Sequence, residues 1–320
     1  MHIIIFGERS VGLGLGSALL KAGATVDFVG SEETVHALRQ SGLSRRGIFG
    51  TVDHPPSSFC AATRLADLPD EPCDYLLVTV KSFDTAAASQ AIAAYPALSA
   101  QTRIVLLQNG WGNAEIFVES VPQARIFSGR VITGFRRPEP HQVDITVHAD
   151  AVHLGSLFGA ARDEVAALAE AMSLGGIPCI TTDTIGADLW AKLLYNCALN
   201  PLGAILQVTY GTLGANAHTR RIMDAVVHEA FAAMQAAGHA THWSSPDAYL
   251  DDFYHKMLPP TADHESSMLQ DIRSGRRPEI EAITGAVLDL AGRHGLEAPH
   301  NAMLFHMIRF LHERPGRQAD

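Results

Sequence analysis

Short apolar runs alternate with helix-length segments through the first half of the chain, and helix-length segments alone fill the second. The apolar run at 3–6 leads into 11–21, whose apolar positions recur at helical spacing, and a second run follows at 25–29 after the break at Ala22-Gly23. This order predicts a β-α-β unit. The runs YLLVTV at 75–80 and RIVLL at 103–107 lack polar alternation, as strands buried on both faces do. Helix-compatible sequence follows each, at 83–94 and 113–118, so parallel strands covered by helices are expected. Between them, DHPPSS at 53–58 predicts a turn-rich connection. VDITVH at 143–148 alternates like a half-exposed strand, and the sheet is expected to end in antiparallel pieces.

Near residue 183 the pattern changes. Helical periodicity predicts helices over 185–206, 218–237, 266–274, 279–294 and 301–312, joined at Gly and Pro, with a frayed tail at 315–320. The expected fold class is therefore α/β over residues 1–180, followed by an all-helical domain over 181–320. A chain of 320 residues is long enough for two such domains, each with its own core.

Composition narrows the function. Cys60, Cys73, Cys179 and Cys197 form no C-x-x-C pair, which points to reduced thiols and away from disulfides or a metal site. No run reaches the roughly 18 to 20 uninterrupted apolar residues of a membrane span. The first strand follows Met1-His2 with no basic leader, so a cytoplasmic protein is expected. A formal net charge of -10 argues against a nucleic-acid partner, because phosphate backbones are held by clustered Lys and Arg. A small-molecule substrate remains.

The segment LWAKLLYNCALNPLGA at 189–204 carries the densest candidate chemistry. Four residues advance a helix by roughly 400°, so Lys192, Asn196 and Asn200 share one slowly drifting stripe. A lysine bordered by Leu189, Leu193 and Leu194 is poorly hydrated and readied for proton exchange. The plain alternative is a half-exposed lysine beside two asparagines that satisfy neighbouring backbone. At the other end of the chain the first strand runs into Gly7-Glu8-Arg9-Ser10-Val11-Gly12, where a dinucleotide-binding fold keeps its phosphate loop. The middle glycine of that pattern is Arg9 here. Its side chain either intrudes on the phosphates or folds outward to pair with one. The alternative is an ordinary strand-turn-helix in which Gly7 and Gly12 serve only the backbone.

From end to end the chain resembles the ketopantoate reductase (2-dehydropantoate 2-reductase) family of pantothenate biosynthesis. The resemblance is carried by the amino-terminal strand-turn-helix, Val78-Thr79-Val80-Lys81, Gln108-Asn109-Gly110-Trp111-Gly112, the segment at 189–204 and SSMLQDIRSGRRPEIEAITG at 266–285. It implies a Rossmann-type dinucleotide-binding domain with a helical substrate and dimerisation domain, and an NADP-dependent oxidoreductase. It further implies Lys192 as general acid toward the ketone oxygen, and Asn196, Asn200 and Ser267 as substrate contacts. Glu279 is implied at the substrate hydroxyl or cofactor ribose. Gly7, Arg9, Ser10, Gly12, Ser31, Lys81 and Asn109 are implied on the cofactor side. Pro278 suits the first turn of a helix, which places Glu279 near a positive dipole end. Ser267, taken alone, reads as a helix cap.

Departures from the family pattern keep other readings open. Ser31, followed by Glu32 and Glu33, stands where the family often has an arginine for the NADP 2′-phosphate, and acidic neighbours repel a phosphate. Lys81 is placed to compensate; the expectation is NADP ahead of NAD. Asp27 lies at the sequence distance of a ribose-binding acid but inside a strand. Tyr210 and His264 replace family asparagines, and with Trp111 they keep a different 2-oxo acid or ketone in play. A non-catalytic nucleotide-binding homologue is the third reading, and homodimer and monomer both stay open.

Overall fold

The run at the start of the chain becomes β1 (His2–Phe6), with Ile3, Ile4 and Ile5 fully buried. A strand buried on both faces needs covered neighbours, and the rest of the first half supplies them. β2 (Thr25–Val29), β3 (Leu43–Gly47), β4 (Val52–His54), β5 (Cys60–Ala62) and β6 (Tyr75–Val78) follow in order. Then come β7 (Arg103–Leu106), β8 (Ile126–Arg130), β9 (Thr133–Arg136), β10 (Gln142–His148), β11 (Val152–Gly155) and β12 (Cys179–Thr181). The helices of this half are α1 (Ser10–Lys21), α2 (Glu32–Ser41), α3 (Thr85–Ala93), α4 (Asn113–Phe117) and α5 (Ala166–Leu174). This computed structural model describes residues 1–314; the tail expected at 315–320 lies outside the described residues. The chain divides into two units, one of residues 1–108 and 113–185, the other of 109–112 and 186 onward.

In the first unit eight strands form a sheet in the order β12-β11-β8-β7-β6-β1-β2-β5. All pairings are parallel except β8 with β11. The chain runs outward from β1 to β2 and β5, then returns to place β6 on the other side of β1. That reversal is the switch point beside which open α/β sheets bind ligands, at the carboxyl ends of the strands. The run at 143–148 does not end this sheet, contrary to expectation. It becomes β10 of a second, four-stranded sheet ordered β4-β3-β10-β9. The cause is β3, LSRRG, whose arginines hide a strand from any hydrophobic pattern. Arg45 is fully buried there and donates from Nη2 to the Gly175 carbonyl at 3.1 Å. Val143 and Ile145 join the apolar core that also takes in Leu13 and Leu15 of α1, so α1 is buried continuously from Gly12 to Leu19.

Two histidines in this unit make stability depend on pH. His54 packs its Nε2 near the Ser17 carbonyl at 3.0 Å, and His148 pairs Nδ1 with Thr133 Oγ1 at 2.9 Å. Burial pushes both imidazoles below their ordinary value of 6.5. The unfolded chain therefore binds more protons, and the stability these groups contribute is full above that value and lost as pH falls below it. The denaturant midpoint of this unit is expected to drop between about pH 7.5 and about pH 5.5, and to drop less in the His54→Gln/His148→Gln double variant. Equal drops would remove these groups from the pH response.

The second unit is helical. It contains α6 (Ile185–Leu206), α7 (Tyr210–Ala215), α8 (Ala217–Ala236), α9 (Pro246–Asp252), α10 (Ser267–Arg273), α11 (Ala286–Arg293) and α12 (Pro299–Glu313). Trp190, Leu193, Leu194, Cys197, Ala198 and Leu199 put α6 into the middle of its core. The predicted helix at 279–294 is interrupted: a π turn, Glu281–Gly285, precedes α11, with the Gly285 N–H reaching back five residues to the Ile280 carbonyl. α7 and α9, six and seven residues long, are absent from the elements read from the sequence. Among the described residues, no helix is long and apolar enough to cross a membrane.

Candidate active site

α6 brings Lys192, Asn196 and Asn200 onto neighbouring turns, and each has a different environment. Lys192 is half-buried, and its Nζ donates to Asn109 Oδ1 at 2.7 Å. The same asparagine donates from Nδ2 to Glu279 Oε2 at 3.1 Å. One carboxamide thus bridges an ammonium and a carboxylate, with its oxygen turned to the cation and its N–H to the anion. The loop that carries Asn109 is pinned locally. Gly110 and Gly112 take left-handed φ values of +88° and +96°, and the Trp111 N–H donates to the Ala282 carbonyl at 2.9 Å. A Cβ on Gly110 would sit 2.3 Å from that carbonyl oxygen, so the close approach requires glycine.

Glu279 is 5 % exposed, and its backbone carbonyl accepts from the Ile283 N–H at 3.2 Å. It therefore opens the helical turn itself, and Pro278 stands before that turn instead of inside it. The nearby positive end of the turn and the Asn109 N–H both favour a carboxylate there. Asn196 is 8 % exposed, and its carboxamide makes no hydrogen bond to another described residue. Asn200 differs. Its Oδ1 accepts from the Tyr210 hydroxyl at 2.7 Å, so one of that oxygen's two acceptor sites is already used inside the protein.

Tyr210 and His264, the two replacements of family asparagines, touch each other: their rings lie 5.3 Å apart and the Tyr210 N–H donates to the His264 carbonyl at 3.1 Å. Burial pushes the Tyr210 hydroxyl well above its usual value and the His264 imidazole below its own, so both are held neutral. Ser267 is exposed and begins α10, while the cap is Ser266, whose Oγ accepts from the Leu269 N–H at 3.0 Å. Trp111 packs 4.8 Å from Trp190 and 4.7 Å from His239, which makes it part of the support beneath the Asn109 loop.

In the first unit the loop after β1 has the shape a dinucleotide phosphate requires. Gly7 takes φ +113°, and a Cβ there would lie 2.5 Å from the Val80 backbone nitrogen. A Cβ on Gly12 would lie 2.1 Å from the Gly7 carbonyl, which Thr79 Oγ1 also hydrogen-bonds. Arg9 is the N-cap of α1 and exposed; Ser10 begins the helix, whose first turn holds no acidic residue. The unspent N–H groups there suit an anion, and the Arg9 side chain makes no cap hydrogen bond to them. These residues fit a dinucleotide. Lys81 follows β6 and caps a 3₁₀ turn, Ser82–Asp84. Asp27 is buried and tied to His2 Nε2 at 2.9 Å, a structural use.

Ser31 is the N-cap of α2, and its hydroxyl donates to Glu8 Oε1 at 2.8 Å. Thr34 Oγ1 reaches the same carboxylate oxygen at 3.3 Å, and Arg137 Nη1 donates to Thr34 Oγ1 at 3.0 Å. Glu8, Thr34 and Arg137 escaped the sequence reading. Glu8 was readable in principle, since it stands inside the loop motif; Arg137 enters from beyond β9 and had no local signal.

Residues 3–158 match the family described as ketopantoate reductase PanE/ApbA, and residues 184–312 match its C-terminal part. The chain belongs to this family. The 2-dehydropantoate 2-reductase of Aquifex aeolicus (strain VF5) is 34 % identical over 313 residues, covering 97 % of this chain and 96 % of that protein. The solved structure of 2-dehydropantoate 2-reductase from Geobacter metallireducens GS-15 superposes with a TM-score of 0.86 at 28 % identity, covering 97 % of this chain and 99 % of that one. The ternary structure of D-mandelate dehydrogenase with NADH and anilino(oxo)acetate shares the fold at 22 % identity, with a TM-score of 0.86 and coverage of 98 % and 99 %. Family membership bears out the expected α/β class, a Rossmann-type parallel sheet followed by a helical half.

Proposed function

We propose that this chain is an oxidoreductase that reduces 2-dehydropantoate to pantoate in pantothenate biosynthesis. The cofactor class is a nicotinamide dinucleotide, with NADP the form that the family resemblance implies. The observation that carries the reading is the hydrogen-bonded line from Lys192 through Asn109 to Glu279. When bound, the reduced nicotinamide supplies a hydride to the substrate's carbonyl carbon. Lys192 Nζ gives a proton to the carbonyl oxygen as charge develops on it, which both stabilises and removes an alkoxide. Asn109 orients that ammonium through its Oδ1. Asn196, with its carboxamide uncommitted among the described residues, donates to the substrate's carboxylate or hydroxyl without adding net charge. Glu279 accepts from a substrate hydroxyl, while Ser267 and the Asn200 amide are further contacts. On the cofactor side, Gly7, Gly12, Ser10 and Arg9 hold the pyrophosphate, with Lys81 beside them.

Following the loss of reduced-nicotinamide absorbance with 2-dehydropantoate, beside a panel of other 2-oxo acids, tests the proposal. Turnover on 2-dehydropantoate with pantoate as product supports it. A much higher rate on another acid moves the substrate to the second reading, which Tyr210 favours by occupying the Asn200 oxygen. Binding of neither nicotinamide cofactor supports a non-catalytic homologue. Glu279→Ala is expected to raise KM and, because Asn109 loses its anchor, to lower kcat as well, with kcat/KM falling on the order of 10- to 100-fold. An unchanged KM would take Glu279 away from the substrate.

A further inference from the structure

We infer that Glu8 reads the adenosine ribose of the cofactor and that this chain takes NADH at least as tightly as NADPH. The inference rests on the reading of the chain as a nicotinamide-dependent reductase and departs from its family in the choice of dinucleotide. In a parallel sheet of this kind the ribose lies over the carboxyl end of the second strand, where a carboxylate accepts from its hydroxyls or a guanidinium takes a 2′-phosphate. β2 ends at Val29, and the side chain that stands over its end comes from the loop after β1. A Cβ built on Gly30 would lie 2.3 Å from Glu8 Oε2. Ser31, in the arginine's place, is part of the same arrangement, because it donates its hydroxyl to Glu8 Oε1 at 2.8 Å.

That contact leaves one carboxylate oxygen for a ribose hydroxyl. Oε1 is already engaged with the hydroxyls of Ser31 and Thr34, while Oε2 has no hydrogen-bond donor among the described residues. An acceptor held in this way can bind a ribose hydroxyl without moving. A 2′-phosphate at the same place adds a charge of about −2 beside a carboxylate, by the ionisation usual for phosphate monoesters. Glu32 and Glu33, both exposed in the first turn of α2, add two more negative charges. Against these three carboxylates stand Arg9, exposed in the same loop and assigned to the pyrophosphate, and Arg137, whose Nη1 is given to Thr34 Oγ1 and the Glu8 carbonyl. Arg39, the guanidinium of α2, is committed to the Ala61 carbonyl through Nε at 3.0 Å and Nη2 at 2.7 Å. The local balance favours the uncharged ribose edge.

Calorimetric titration of the purified protein with NADH and with NADPH reads this directly, without turnover. Wild type is expected to bind NADH at least as tightly. Glu8→Gln, which keeps the size and removes the charge, is expected to weaken NADH about tenfold while leaving NADPH unchanged or tighter. Glu8→Ala, checked for folding by circular dichroism, should move the ratio the same way. A wild-type preference for NADPH of tenfold or more overturns the inference, as does a ratio that neither variant moves. NADPH preference abolished by Arg137→Ala would hand the reading to that guanidinium and equally overturn it. Binding of neither dinucleotide removes the reductase reading itself, a result distinct from binding with the opposite preference.

Discussion

Lys192→Ala is expected to lower kcat by about a hundred- to ten-thousandfold, the range typical for loss of a positioned general acid. The fold and dinucleotide binding should survive, because Lys192 is half-buried on α6 and the core-facing positions around it, Leu193 and Leu194, are untouched. Asn109 also keeps its bond to Glu279 in the variant, so the loop is not released. Lys192→Arg separates charge from proton delivery. A guanidinium preserves the positive charge but does not give up a proton near neutral pH, so it should recover little of the lost rate. Single-turnover reduction with saturating cofactor, read beside a titration of cofactor binding, is the measurement. Near-normal turnover in the Ala variant would take Lys192 out of the chemistry.

Trp190→Ala should cost about 3 to 5 kcal/mol of stability, the usual range for emptying a large aromatic site in a packed core. Trp190 is 0 % exposed and packs on Trp111, the residue that holds the Asn109 loop from beneath. The substitution should therefore also lower kcat through a loosened Asn109, an effect a purely peripheral cavity would not have. Trp190→Phe refines the result. The indole Nε1 has no partner among the described residues, so losing it breaks no hydrogen bond. The Phe variant should retain most of the stability. Urea unfolding of both variants decides the matter; equal losses would mean that the indole nitrogen matters and the ring volume does not.

β1, β2, β6, β7 and β10 and the long helices of the second half were legible because their apolar positions follow the pattern of the element they form. α6 shows this best, since its lysine and asparagines break an otherwise apolar run at helical intervals. β3 was illegible for the opposite reason: its buried face carries Arg45, and a buried arginine looks like solvent-exposed sequence until the surrounding backbone is known. Lys192, Asn109 and Glu279 each stand out in the sequence, whereas the hydrogen bonds that join them do not. A residue 83 positions away from Lys192 is placed by folding and by no local pattern. The pairings of Tyr210 with Asn200 and of Glu8 with Ser31 belong to the same class. Each residue is visible singly, and only the fold reveals the contact.

The excursion of residues 109–112 into the helical unit has a consequence for how such a protein can be cut or recombined. A fragment begun at residue 186 would hold Lys192 without its oxygen acceptor and Ala282 without the N–H that caps its carbonyl. The halves are thus not interchangeable cassettes. Grafting the helical part onto a foreign nucleotide-binding part would succeed only where the recipient brings its own Asn-Gly-Trp-Gly insert, so inheritance of the two parts is coupled through four residues encoded far upstream.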